Sequence, residues 1–298
     1  MQWQQDSYLI LQIISIIFPV FFIAFIGYLY ANKVKINMDM PNKINMDIFI
    51  PIMVFYFISE KLPSIHMIGS FSMGAVIVVF GSGIILYPIT KIFNLNPRTF
   101  LPPMMFNNSI NLGLPLAFFA FGEEAMALAI ALSLVQVIGQ FTVAVMMYGG
   151  KFDIGSLFKN PVIIATLIGL LFNYFNFHLP SILLDPVKMM AQVSIPLVLF
   201  ALGVRLIHLE LRYWKIGILG AILCPLSGIL MALLAIYIFD YTPLQASLII
   251  LFGALPPAVI NSIMAEKYNC DSITVASIVA IGNIASLIII PIVLYFVL

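Results

Sequence analysis

The chain has 298 residues, 63% of them hydrophobic and 8% charged, with a formal net charge of +1. Soluble domains carry about 25% charged residues, so the composition excludes a soluble globular protein and indicates an integral membrane one. No basic block is present to neutralise phosphates, which argues against a nucleic-acid partner. The two cysteines, Cys224 and Cys270, have neither metal-ligand nor disulfide-framework spacing.

A membrane span needs about 20 predominantly apolar residues. On that rule the chain reads as ten spans: Tyr8–Tyr30, Ile44–Ser59, His66–Ile89, Arg98–Phe121, Ala125–Tyr148, Leu157–Phe175, Val187–Ile207, Tyr213–Phe239, Leu244–Ala265 and Ser272–Leu298. The first is too long, and lacks the basic start, for a cleavable signal peptide. Alternate loops hold Lys33, Lys35, Lys43, Lys91, Arg98, Lys151, Lys159, Arg205, Arg212, Lys215 and Lys267, against only Lys61 and Lys188 on the other side. The lysine and arginine bias places the first set in the cytoplasm. The expectation is a multi-pass protein of the cell (inner) membrane with both termini outside.

The fourth span has three prolines, an inner glycine and three asparagines within residues 98–121. Proline removes a ladder hydrogen bond, and lipid offers no partner for the freed groups. This segment is therefore expected to be a broken helix, buried in protein or lining a wet cavity. The ninth span has its own break, at Leu255-Pro256-Pro257.

Weak internal matches recur in consistent order. Pro19-Val20-Phe21 with Gly27 pairs with Pro161-Val162-Ile163 with Gly169, and Ile50-Pro51-Ile52 pairs with Ile195-Pro196-Leu197. Continuing the offset aligns Pro115 with Asn261 and Gln136 with Asn283. Two five-span repeats, residues 1–150 and 151–298, would cross in opposite directions, the inverted repeat of many secondary transporters. The fold class expected is thus all-α integral membrane, with ten transmembrane helices in a five-plus-five inverted repeat and broken crossing helices four and nine.

Broken helices expose backbone amides carrying roughly half a positive charge at each new N-terminus, and two such ends make an anion site without a lysine. Asn107, Asn108, Asn111 and Asn261 add amide groups that either contact substrate or cap loose backbone; Asn108 and Asn261 are the preferred substrate contacts. Gln136 and Asn283, mid-span in five and ten, either line the site or make interhelical hydrogen bonds. Glu123 and Glu124 read as a solvated face. His66, His178 and His208 fall at span ends and read as interfacial groups. No zinc-protease pair, nucleophile elbow or paired membrane aspartates appear, so an enzyme is not expected.

Two stretches, Asn108-Ser109-Ile110-Asn111-Leu112-Gly113-Leu114-Pro115 and Leu255-Pro256 with Ala265-Glu266-Lys267-Tyr268-Asn269, resemble the auxin efflux carrier family, within the superfamily that includes bile-acid transporters. The resemblance implies that spans four and nine cross at their breaks, which adds Gly113, Pro115 and Pro256 to the candidate substrate site. It further implies a scaffold of spans 1, 2, 6 and 7, a mobile unit of spans 3–5 and 8–10, and a homodimer through spans 2 and 7. The function expected is secondary active transport of a small organic anion, of mono- or dicarboxylate type, by elevator-like alternating access. The alternative is a Na+-coupled symporter resembling bile-acid carriers. No cofactor is expected, and Na+ is the one ion considered; the remaining partner is membrane lipid.

Overall fold

A computed structural model describes residues 2–62, 66–208 and 211–298; the side chains of His66 and His208 lie outside the described ones. Among the described residues the chain is helical throughout, and its one β-type contact is an isolated bridge between Asn107 and Pro257. The elements in order are α1 (Gln2–Lys33), α2 (Asp39–Ile44), α3 (Ile50–Lys61), α4 (His66–Ile92), α5 (Pro97–Met105), α6 (Leu114–Gly139), α7 (Val145–Met147), α8 (Ile154–Phe158), α9 (Pro161–Tyr174), α10 (Ser181–Arg205), α11 (Trp214–Ile238), α12 (Pro243–Ala254), α13 (Ile260–Lys267) and α14 (Ser272–Val297). Wide π-type turns join α2 to α3 at Asn45–Phe49, lead into α6 at Ser109–Gly113 and join α6 to α7 at Gln140–Ala144.

Among the described residues, six helices are long and apolar enough to cross a membrane unaided: Ser7–Lys33, Ile68–Ile92, Ser109–Met147, Ser181–Arg205, Trp214–Ile238 and Ser272–Val297. The other expected spans are short or interrupted. At 1.5 Å per residue, α9 and α12 are only about 21 and 18 Å long, against a hydrocarbon core of about 30 Å. Conversely, Ser109–Met147 would measure about 58 Å if straight. It is not straight, because Gly122 holds φ 80° and ψ −166° and kinks the helical run. Only a residue without Cβ adopts that conformation cheaply. The turn leaves Glu123 partly exposed, within 2.8 Å of Lys61 Nζ at the end of α3.

The helices associate in two groups. α1 packs along α10, and α3 packs on α9 and α10; α11 packs on α4, α12 and α14, while α4 packs on α5 and α6. Lipid is as apolar as leucine, so helix pairs in a membrane associate through close packing of small residues. Gly27 and Gly203 meet the opposing backbone at Phe200 and Ala24, and Gly228 and Gly253 meet each other. At each place a Cβ would collide with main-chain atoms, which cannot rotate away.

Overpacking a tight contact costs about 1–3 kcal/mol. Gly203→Val is expected to lower stability by at least about 2 kcal/mol, measured as the thermal unfolding midpoint of purified protein in detergent. Gly69→Ala, where nothing lies within 4 Å of the new methyl, leaves the midpoint unchanged or raises it.

Candidate functional site

The two helix breaks follow from local sequence. In the first, Asn96 caps α5 by accepting a hydrogen bond from Arg98 N at 3.0 Å. Pro102 and Pro103 then remove two amides from the ladder, and the helix ends at Met105 with Phe106 extended. In the second, the hydroxyl and amide of Thr242 form a capping box with Gln245 at the start of α12. Proline disfavours helical backbone in the residue before it, and Leu255, before Pro256, is extended at φ −64°, ψ 144°.

The two extended pieces pair antiparallel, as a fragment of β-ladder inside a helical protein. Asn108 N donates to Pro256 O at 2.7 Å, and Ala258 N donates to Phe106 O at 3.0 Å. Side chains satisfy what remains, each break receiving help from the other. Asn107 Nδ2 donates to Phe252 O at 2.6 Å, a last-turn carbonyl of α12, and Asn261 Nδ2 donates to Phe106 O at 2.8 Å and Ala258 O at 2.9 Å. Gln136 Nε2 donates to Asn107 O at 2.9 Å, and Asn283 Nδ2 donates to Pro257 O at 3.0 Å, so the two mid-helix amides hold the two bridged residues. Asn108 Nδ2 donates to Asn283 Oδ1 at 3.2 Å.

Beside this crossing lies a cavity of about 150 Å³. Asn107, Asn108, Asn111 and Gln136, all expected at the site, line it. Gly113, Pro115, Pro256, Asn261 and Asn283 do not. Gly113 is covered by Leu255, and Pro115 and Pro256 are buried. Asn261 is fully buried, with its amide nitrogen used twice and its Oδ1 accepting from Gln140 Nε2 at 2.9 Å. Its geometry is that of the backbone-capping alternative, while Asn283, donating to Pro257 O from α14, makes the kind of bond between segments that was its own alternative.

Sequence reasoning missed five polar residues at the cavity: Asn42, Asn45, Ser109, Gln140 and Arg205. Gln140 carried a signal, because it stands four residues after Gln136 and so shares its helix face. Arg205 ends an apolar helix and counts in the sequence only as one of the cytoplasmic-side charges. Among the described residues no aspartate, glutamate or lysine lines the cavity. Three of its amide oxygens, on Asn45, Asn107 and Gln136, are buried without a hydrogen-bond partner. His178 is exposed, with Nδ1 3.2 Å from Glu60 Oε2.

Long apolar helices, two paired helix breaks and a polar cavity beside them define a multi-pass membrane transporter. Residues 150–294 match the family model described as membrane transport protein. A protein named as an uncharacterized transporter in Methanocaldococcus jannaschii is 24% identical over 268 residues, covering 84% of this chain and 86% of its own. Both matches support the likeness to the auxin efflux carrier family that the sequence motifs carry.

Removing one partner from a buried hydrogen bond costs about 1–3 kcal/mol. Asn261→Ala strands the Gln140 amide and loses one donor to Phe106 O, and is expected to destabilise by about 2 kcal/mol or more. Asn111→Ala, partly exposed at the cavity, changes stability by less than about 0.5 kcal/mol. Thermal unfolding in detergent distinguishes the two.

Proposed function

We propose that the protein is a secondary carrier for a small organic anion, held where two half-helices begin at one cavity. One observation carries this. Ser109, Ile110 and Asn111 open the segment after the first break, Val259 and Ile260 lead the helix after the second, and all five line the same cavity. First-turn amides have no intrahelical acceptor, and each helix start adds roughly half a positive charge. Such ends bind carboxylates and phosphates. Arg205 adds a full charge to the same lining, and no acidic side chain among the described residues opposes it.

The proposal includes ten crossings in two inverted halves, 1–150 and 151–298. Its support is the reciprocal chemistry of the breaks: Gln136 holds Asn107, Asn283 holds Pro257, and those two residues face each other. The packing groups support a scaffold of α1, α2–α3, α8–α9 and α10, with α4–α7 and α11–α14 as the moving unit. The cavity lies between them, with Asn45, Val162 and Val198 on one wall and Asn108, Gln136 and Val259 on the other. α2–α3 starts at the cavity with Asn42 and ends at Lys61, whose ion pair with Glu123 joins the two groups at the far end. Glu123 also raises the Lys61 pKa by accepting its hydrogen bond. On the lysine and arginine bias, the cavity faces the cytoplasm of a cell-membrane protein with both termini outside. Elevator-like sliding of the moving unit would expose it to the other side. The exposed Ile182, Leu183 and Met189 of α10 leave a face for the homodimer that the family resemblance implies.

A second reading, Na+-coupled symport, is favoured by the stranded amide oxygens of Asn107 and Gln136, since amide oxygens are acceptors that suit a hard cation.

Uptake of short-chain mono- and dicarboxylates into proteoliposomes tests both. Asn108→Ala is expected to weaken uptake affinity by roughly fivefold, about 1 kcal/mol. Ile288→Ala, on the exposed side of α14, leaves it unchanged. Uptake that collapses when Na+ is replaced by K+ selects the symport reading. Failure of every carboxylate to enter overturns the anion reading.

A further inference from the structure

The two packing groups meet at an ion pair remote from the cavity. Glu60 and Lys61 end α3, which packs on α9 and α10. Glu60 is tied within that group: its Oε1 accepts from Leu179 N at 3.3 Å, and its Oε2 lies 3.2 Å from His178 Nδ1. On the other side of Lys61, Leu62 O accepts from Asn173 Nδ2 at 2.9 Å. Lys61 therefore stands between two residues anchored to the stretch that joins α9 to α10, and its ammonium reaches out from a fixed base. It meets Glu123 Oε2 at 2.8 Å. Glu123 follows the Gly122 kink and opens the helical piece that continues with the buried Ala125, Met126 and Ala127. An acidic side chain in the first turn of a helix is favoured by the dipole. The His178–Glu60 contact lies within one group, whereas Lys61–Glu123 crosses between the groups. α2–α3 thus touches the cavity at Asn42 and grips the other group at Lys61.

We propose that the Lys61–Glu123 pair is a state-selective latch, which holds the two groups in the arrangement that opens the cavity to the cytoplasm and parts when the moving unit slides outward. This rests on the alternating-access reading above. An ion pair needs its nitrogen and oxygen within about 4 Å, so a slide of more than a few ångströms breaks it. Both side chains are partly exposed, 34% and 39%, and such a pair is worth a factor of about two to five in an equilibrium. That bias is large enough to favour one resting orientation and small enough to be released in every cycle. Salt weakens an exposed pair, so the ionic strength outside becomes an input to the resting orientation.

The test reads from which side the cavity can be reached. Ile263 lines the cavity. Ile263→Cys, in the full-length protein carrying Cys224→Ala and Cys270→Ser, is labelled in proteoliposomes of one orientation by a membrane-impermeant maleimide added to either face. Glu123→Gln and Lys61→Gln are each expected to raise the rate of labelling from the outer face about two- to fivefold. The two together raise it no further than either alone, and the exchanged pair, Lys61→Glu with Glu123→Lys, brings it back toward the starting rate. Glu124→Gln, at the exposed neighbour, leaves it unchanged. With the pair intact, raising external salt from about 0.01 M to about 1 M shortens the screening length from about 30 Å to about 3 Å. Outer labelling is expected to rise with that change, and to stop responding to it in Glu123→Gln. Outer labelling that neither single substitution nor salt alters overturns the latch and leaves alternating access standing. Rates that rise additively and are not recovered by the exchanged pair overturn it too, because each residue would then act alone. If the reporter is never labelled from the outer face, in the parent or in any variant, the alternating-access reading fails and the latch fails with it.

Discussion

Two short pieces of extended backbone, Phe106–Asn108 and Pro256–Ala258, hydrogen-bond to each other in a protein otherwise built of helices. Everything distinctive about the molecule depends on that pairing. A helix interrupted in a membrane leaves several amides and carbonyls bare, and each unsatisfied group costs several kcal/mol in hydrocarbon. One break could not satisfy itself. Two breaks, set antiparallel and cross-capped by Asn107 and Asn261, satisfy much of each other's need. Gln136 and Asn283 then hold the carbonyls of the two bridged residues.

The pairing also sorts polarity. Both half-helix starts meet the cavity, where positive partial charge collects. The half-helix ends converge elsewhere, at Cys224 on α11, whose sulfur lies 3.8, 3.9 and 3.7 Å from the carbonyl oxygens of Pro103, Met104 and Leu255. A thiol is a weak donor, so it softens that cluster of negative ends without introducing a charge. The crossing thus separates an anion-attracting side from a closed, carbonyl-rich side within one layer of the protein.

Much of this was legible in the amino-acid sequence, because membrane helices leave few ways to explain a proline pair next to asparagine. Pro102-Pro103 and Pro256-Pro257 announced both breaks, and the alignment of Gln136 with Asn283 anticipated two residues with matching hydrogen bonds. Three things were not legible. Asparagine is both donor and acceptor, so its type could not tell a substrate contact from a backbone cap; the distances from Asn261 to Phe106 O and Ala258 O show a cap. Arg205 and Asn45 reach the cavity from helices remote in sequence, and only tertiary packing reveals that approach. Crossing number was blurred because α9 and α12 are shorter than a bilayer is thick, while Ser109–Met147 is a single helical run bent at Gly122.

An experimental density map of the protein in lipid, with a short-chain carboxylate bound, tests the central claim most directly. The account predicts paired backbone at Asn107 and Pro257, with ligand density against Ser109–Asn111 and Val259–Ile260. Continuous, unpaired helices through residues 97–121 and 243–267, or ligand seated away from both half-helix starts, would contradict it.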